Sequence, residues 1–244
     1  MKKIIAMFAC GLLAALSAMP VGALETQANV SVRQIKCGIN NVFILSQGDS
    51  ASRVDTAGTS SRRKVLRACK GYDIKLVVLT HAHYDHAQNA AWLSEKLGAP
   101  IAMHPADLPL IDDILYEPIQ STDFTSRALI AMLKLSRVPG LRWLGSIMAI
   151  EPFEFIELHE GFSLARYGVD AEIMTMPGHT PGSVGVVTSD ALIAGDALTN
   201  LFGPGKAALY SNEQAMLESA AKAAALGDIM VYFGHGGPLR NREW

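Results

Sequence analysis

The sequence is short of several things, and each shortage narrows what the protein does. It has no surplus of positive charge: 21 lysines and arginines stand against 23 aspartates and glutamates. That balance gives no sign of nucleic acid as a partner. There is no internal repeat and no low-complexity tract, which excludes a solenoid or a biased polar array. Beyond residue 23 no apolar stretch approaches the roughly 20 residues that span a bilayer. Cysteine is scarce as well, with three in all. Cys10 falls in the N-terminal apolar run, while Cys37 and Cys69 could bridge outside the cytoplasm. Cys37 ends an expected strand and Cys69 falls inside an expected helix, so a pair of buried free thiols is an equal reading, and neither is assigned a catalytic role.

At 244 residues the chain is long enough for one large domain or two small ones, with a substantial core. It opens "MKKIIAMFACGLLAALSAMPVGALE": Lys2 and Lys3, an apolar run from Ile4 to about Met19, then a Pro-containing stretch ending in Gly22 and Ala23. This is the build of a secretory signal peptide over residues 1–23, cleaved after Ala23. The run is too short for a membrane anchor, and Cys10 lies inside it and not after it, which disfavours a lipoprotein. The mature protein, residues 24–244, is therefore expected in the periplasm or outside the cell. Losing the leader leaves nineteen basic and twenty-three acidic side chains.

Alternating patterns in "VSVRQIK", "NNVFILS" and "SRVDTAG" read as adjacent strands. "SSRRKVLRACKGY" reads as a helix with one buried face, and "IKLVVLT" as a buried strand that delivers the chain to His81. "AQNAAWLSEKLG" reads as a helix closed by Gly98, and "PIAMH" as a strand. A helical, irregular insert follows at about 107–150. Its part from Phe124 to Ile150 carries Arg127, Lys134, Arg137 and Arg142 and no acid. Strands resume in "GFSLARYG", "AEIMTMPG", "SVGVVTS" and "ALIAGDA". A helix capped by Ser211 or Asn212 and a strand "DIMVYFGHG" close the pattern. Two halves of similar layout argue for a layered α/β sandwich in one domain.

The chain has seven histidines, and three of them, with an aspartate, occupy His81, His83, Asp85 and His86. In an extended segment residues i and i+2 point the same way, so His81 and His83 can face one ion at the end of their strand. Asp85 and His86 come as the chain turns and can face a second point. Three imidazoles this close would repel when protonated and cost much to desolvate without a metal. His179, Asp196 and His235 each follow an expected strand and could complete the set. His104 and His159 are read as ordinary polar residues.

Together "THAHYDH", "PGHTPGS", "AGDA" and "GHGGP" resemble the motif series of the metallo-β-lactamase superfamily, in order and over nearly the whole mature chain. The resemblance implies a four-layer αββα sandwich with a metal site at one edge. His81, His83 and His179 would hold a first metal, and Asp85, His86 and His235 a second. Asp196 would bridge them. It implies two Zn2+ ions, since the iron-binding flavoprotein relatives have glutamate at the place of His83. Two such metals lower the pKa of a shared water, so a metal-bound hydroxide can attack a small-molecule substrate. Asp85 would be catalytic, orienting the nucleophile and carrying a proton to the leaving group. Asp55 resembles the superfamily's aspartate behind the ligands, and a turn residue capping the next segment is an equal reading.

Asp196 favours an ester, thioester or lactone hydrolase over a β-lactam hydrolase, because β-lactamases of this fold generally have cysteine or serine there. The chain stops soon after His235, without the helical domain that binds glutathione in authentic glyoxalase II. Thr199 stands where quorum-quenching lactonases tend to have tyrosine. A β-lactam hydrolase and a catalytically silent metal-binding protein are the other readings. The insert could roof a pocket for a hydrophobic, anionic substrate, simply pack on the sandwich, or be weakly drawn to an anionic membrane surface.

Overall fold

The computed structural model describes residues 29–244 apart from 114, 117, 122, 123, 136 and 142. The expected signal peptide, its cleavage site and Cys10 lie outside the described residues. The chain starts as an antiparallel meander of β1 (Ser31–Cys37), β2 (Asn40–Gln47) and β3 (Ser50–Val54). Its tight turns fall at Gly38 and Gly48, whose φ angles of 71° and 57° glycine adopts without steric cost.

Helical crossovers then lay down parallel strands, as parallel neighbours require. α1 (Arg62–Ala68) leads to β4 (Asp73–Val78), and α2 (Tyr84–Ala87) and α3 (Ala90–Leu97) lead to β5 (Ile101–Met103). The long passage that follows contains α4 (Leu108–Asp112), β6 (Gln120–Ser121), α5 (Phe124–Leu135) and α6 (Trp143–Ile147). It returns as β7 (Phe155–Glu157), which completes a six-stranded sheet in the order β1-β2-β3-β4-β5-β7.

The second sheet begins with β8 (Glu172–Thr175), β9 (Val184–Val187) and β10 (Ala191–Ile193), each antiparallel to the next. Two short excursions follow: β11 (Leu198–Thr199) pairs with β12 (Gly205–Lys206), and β13 (Leu209–Tyr210) pairs back to β6. Asn212 starts α7 (Glu213–Ala224) by accepting the Ala215 N–H at 3.0 Å. β14 (Met230–Tyr232) lies parallel to β10, and β15 (Leu239–Arg240) forms the edge.

The pleat sorts side chains into three apolar layers, which makes the order helix, sheet, sheet, helix. Val42 and Ile44 of β2 pack under Val65 of α1 and Leu93 of α3. Their neighbours Phe43 and Leu45 face the other sheet, against Val184 and Val186 of β9. On the far side Leu192 of β10 and Val231 of β14 meet Ala220 and Ala223 of α7. Each fully buried large apolar side chain contributes about 1.5–3 kcal/mol, so the inter-sheet layer rigidly fixes where the strand ends emerge. The expected αββα sandwich is what forms.

Some local expectations differ. "GFSLARYG" is no strand: Ala165–Tyr167 is a 3-10 turn, and Gly168 at φ 78° reverses the chain so that the Leu164 N–H reaches the Ala171 carbonyl. β7, within the glutamate-rich "EPFEFIELHE", and the two-residue β15 were not anticipated. Cys69 caps the end of α1 instead of lying within it, and both Cys37 and Cys69 are buried free thiols.

Candidate metal centre

Every predicted ligand emerges just beyond the C-terminal end of a strand. β4 ends at Val78, and Leu79 and Thr80 carry the chain to His81. His83 is still extended, with φ −76° and ψ 149°, and caps the start of α2. The single turn of α2 swings Asp85 and His86 round toward a second point beside the one that His81 and His83 face. His179 follows β8, Asp196 follows β10 and His235 follows β14. The structure thus brings together all seven residues that the sequence singled out, and leaves His104 and His159 outside the cluster.

His81, His83 and His179 form one triad. The His179 Nε2 atom lies 3.2 Å from His81 Nε2 and 2.9 Å from His83 Nδ1. The outward nitrogens are committed elsewhere: His179 Nδ1 donates to the Leu209 carbonyl at 2.7 Å, and His81 Nδ1 meets Thr80 Oγ1 at 3.1 Å. The Leu209 bond leaves the His179 Nε2 lone pair facing His81 Nε2 and His83 Nδ1. Lone pairs at this separation repel unless a cation or proton sits between them.

Asp85, His86 and His235 form a second triad, with Asp85 Oδ2 at 3.8 Å from His86 Nε2 and 3.5 Å from His235 Nε2. Again the outer nitrogens are used, His86 Nδ1 by Asp55 at 2.9 Å and His235 Nδ1 by the Ile39 carbonyl at 3.1 Å. Asp196 lies between the triads. Its Oδ1 is 3.5 Å from His86 Nε2, and its Oδ2 is 3.2 Å from His235 Nε2 and 3.8 Å from His179 Nε2.

This donor set fits metal ions. His86 Nε2 and Asp196 Oδ1 are buried with no hydrogen-bond partner, and a buried polar atom left so is costly unless something fills the place. Gly234 lines the same space, and any Cβ there would run into Asp196 Oδ1 and His86 Cε1. Charge tells the same story. Burial and the neighbouring His86 and His179 hold His81 well below an ordinary imidazole, and burial beside His179 pushes His83 down to about 3. Burial opposes a charge on His86 and His235, but Asp196 and Asp85 outweigh it, raising His86 well above its usual range and His235 to about 10. The protein surrounding thus calls for compensating positive charge beside Asp85 and Asp196, the role that divalent cations fill.

The metallo-beta-lactamase superfamily model matches residues 35–235. The chain belongs to this superfamily. An uncharacterized protein of Aquifex aeolicus is 26% identical over 160 residues, covering 65% of each chain, so this chain matches just under two thirds of that relative. The hydroxyacylglutathione hydrolase GloC of Haemophilus influenzae is 27% identical over 205 residues, covering 81% of this chain and 85% of the relative. A solved metallo-beta-lactamase family protein of Thermus thermophilus is 23% identical with a TM-score of 0.63, covering 87% of this chain and 75% of its own, a likeness that speaks to the fold. Superfamily members are mostly metal-dependent hydrolases, and the cluster gives this member a candidate metal site of the same kind.

Behind the ligands lies a supporting layer that the sequence only partly disclosed. Of the two readings of Asp55, its bonds favour the one behind the ligands. Its carboxylate takes His86 Nδ1 and the Thr80 N–H and hydroxyl, while its backbone adopts φ 59°. The buried Arg53 Nε donates to the Asp55 carbonyl at 3.0 Å, which steadies that turn. Asp107 was missed as a site residue. Fully buried, it accepts the Ala82 N–H at 2.9 Å, the Gly182 N–H at 2.7 Å and the Thr180 hydroxyl at 2.9 Å, tying the His81–His83 loop to the His179 loop. Asn40 was missed too: its amide donates to the Asp85 carbonyl at 2.8 Å and to Asp85 Oδ2 at 3.0 Å. The one available signal was a polar "NN" at the head of an otherwise apolar strand. Gln88 joins α6 to the site, donating to the Ile147 and Ala149 carbonyls at 2.7 and 3.1 Å.

Proposed function

We propose that the protein is an exported dizinc hydrolase that opens an ester, thioester or lactone bond in a small-molecule substrate. The observation that carries the reading is Asp196, a carboxylate with one oxygen toward His86 and the other toward His179 and His235. A cysteine or serine, as β-lactamases of this fold generally have there, reaches one side only. Two zinc ions held by the triads and Asp196 would supply an activated water near neutral pH and polarise the scissile carbonyl. Haemophilus GloC, a hydroxyacylglutathione hydrolase by name, supports a thioester among the substrates.

The chain's own residues divide the remaining work. Asn40 fixes Asp85 through Oδ2, and among the described residues no bond engages Oδ1. Asp85 is partly open to solvent, so Oδ1 is placed to take a proton from the attacking water and pass it to the departing alkoxide or thiolate. His235 Nδ1 is held by the Ile39 carbonyl in the β1–β2 turn, which keeps the ring from following the leaving group. The leader over residues 1–23 would deliver the enzyme across the inner membrane.

The test is metal content and a substrate panel. Purified mature protein should hold close to two zinc ions. Asp196→Ala should lose at least one of them and slow turnover by about 100-fold or more. Nitrocefin, an acyl-homoserine lactone, a thioester and a phosphodiester, each assayed with and without chelator, decide the bond class. Turnover of nitrocefin alone would sink the proposal.

A further inference from the structure

The insert between β5 and β7 has an inner face that packs and an outer face that does not. Ile130 of α5 and Ile150 beyond α6 are buried, and Gln88 ties the Ile147 and Ala149 carbonyls to the body of the sandwich. The backbone of α6 is therefore held, yet Trp143 and Ile147, one turn apart on it, are 56% and 58% exposed. Leu135 and Val138 stand where α5 ends, in a turn closed by the Val138 N–H on the Leu135 carbonyl at 2.9 Å, and they too are exposed. Large apolar side chains scattered singly over a surface are ordinary. These are not scattered: of the ten exposed ones among the described residues, six lie between Leu108 and Ile147.

The charge beside them is of one sign, since the chain from Phe124 to Ile150 carries four cations and no acid. Arg137 is taken up by Asp113 at 2.6 Å and the Leu115 carbonyl at 2.9 Å. Arg127 and Lys134 have no acidic partner among the described residues. With Ala131 and Leu135 they follow the spacing i, i+4, i+7, i+8, so the exposed face of α5 carries both cations and runs on into the apolar turn. The same two cations edge a cleft of about 360 Å³, bounded on the strand side by Ile119 and Ser121. An apolar strip rimmed by unpaired cations matches a layer of anionic headgroups over hydrocarbon: tryptophan and aliphatic side chains enter the boundary, and lysine and arginine stay level with the phosphates. A second copy docked here about a two-fold axis would instead bring like charges together. No described helix is long and apolar enough to cross a membrane, so the contact is peripheral.

We propose that the α5–α6 face docks the protein on an anionic phospholipid surface, with Leu135, Val138, Trp143 and Ile147 at the headgroup boundary and Arg127 and Lys134 on the phosphates. This docking is independent of which bond the metal centre breaks. Mature protein, metal-loaded and freed of excess ion, is sedimented with vesicles of phosphatidylcholine alone and of phosphatidylcholine with an equal part of phosphatidylglycerol. It should pellet with the anionic vesicles and not with the neutral ones, and added salt should release it. Arg127→Gln/Lys134→Gln should bind about 10-fold or more weakly, while the charge-preserving Arg127→Lys/Lys134→Arg should bind like the parent. Trp143→Ser/Ile147→Ser should also bind about 10-fold more weakly, and should lack the blue shift of tryptophan emission that the parent shows on anionic vesicles. These four side chains are exposed and none is a predicted metal ligand, so equal metal content across the variants checks that each is folded. No binding to anionic vesicles, equal binding to neutral ones, or a Gln pair that binds as the parent does overturns the proposal. A parent that ignores vesicles but forms a dimer broken by the Ser pair overturns it as well, and assigns the face to a second copy of the chain.

Discussion

Asp107→Ala removes one buried carboxylate and orphans two donors at once, the Ala82 and Gly182 amides, while the Thr180 hydroxyl keeps Ser183 Oγ at 2.8 Å as a partner. A buried donor without an acceptor costs about 1–3 kcal/mol. Some of that returns, because the variant no longer desolvates a carboxylate and a water can enter the space, so the net loss should be about 2–4 kcal/mol. Against a total stability of roughly 5–15 kcal/mol this is a large fraction. In urea, at a slope of about 2–3 kcal/mol per molar, the midpoint of the chelator-treated protein should drop by about 1–2 M with the slope unchanged. Asp107→Asn keeps a single acceptor oxygen and must forfeit either the Gly182 bond or the Ala82 and Thr180 bonds, so it should fall between. The damage should also be lopsided. Asp107 braces the loops of His81, His83 and His179, so metal affinity at the first triad should fall about 10–100-fold and at the second much less. An Asp107→Ala protein that unfolds within about 0.5 kcal/mol of the parent and retains both metals would refute the bracing role.

Three other outcomes follow from the same geometry. Gly234→Ala places a methyl against Asp196 Oδ1 and His86 Cε1, so metal analysis should find fewer ions bound and the rate should drop by about 100-fold or more; a fully loaded, active variant contradicts the crowding. Asp55→Ala strips the partner from His86 Nδ1 and should weaken metal binding by about 10–100-fold, read by competition with a chromogenic chelator. Cys37 and Cys69 should ignore Ellman's reagent in the native protein and both react in urea; prompt native labelling would show that the core around α1 opens.

What the sequence disclosed and what it hid divide along a physical line. His81 to His86 were legible because one strand end and one helical turn place four donors together locally, and local geometry is what spacing encodes. His179, Asp196 and His235 were legible because each follows an apolar strand and stands in a motif. Asp107 was not, because in one dimension it is an acid at a helix start, and its role exists only where Gly182 has folded back upon it, 75 residues along the chain. Asn40 is hidden in the same way. "GFSLARYG" misled because alternation over a few residues mimics a strand, while Gly168 was free to turn the chain.

The insert marks the other limit of such reading. β6 and β13 are two residues long, too short for any periodicity, and they pair across almost ninety positions. Yet that ladder sets the Leu209 carbonyl under His179 on one side and backs the Arg127–Lys134 cleft on the other. Ligands tolerate little displacement, so the superfamily's chemistry is carried in motifs that survive in the sequence. A two-residue strand pair leaves no such motif, which is why the candidate metal centre could be read from residue types and the ladder behind His179 only from its arrangement in space.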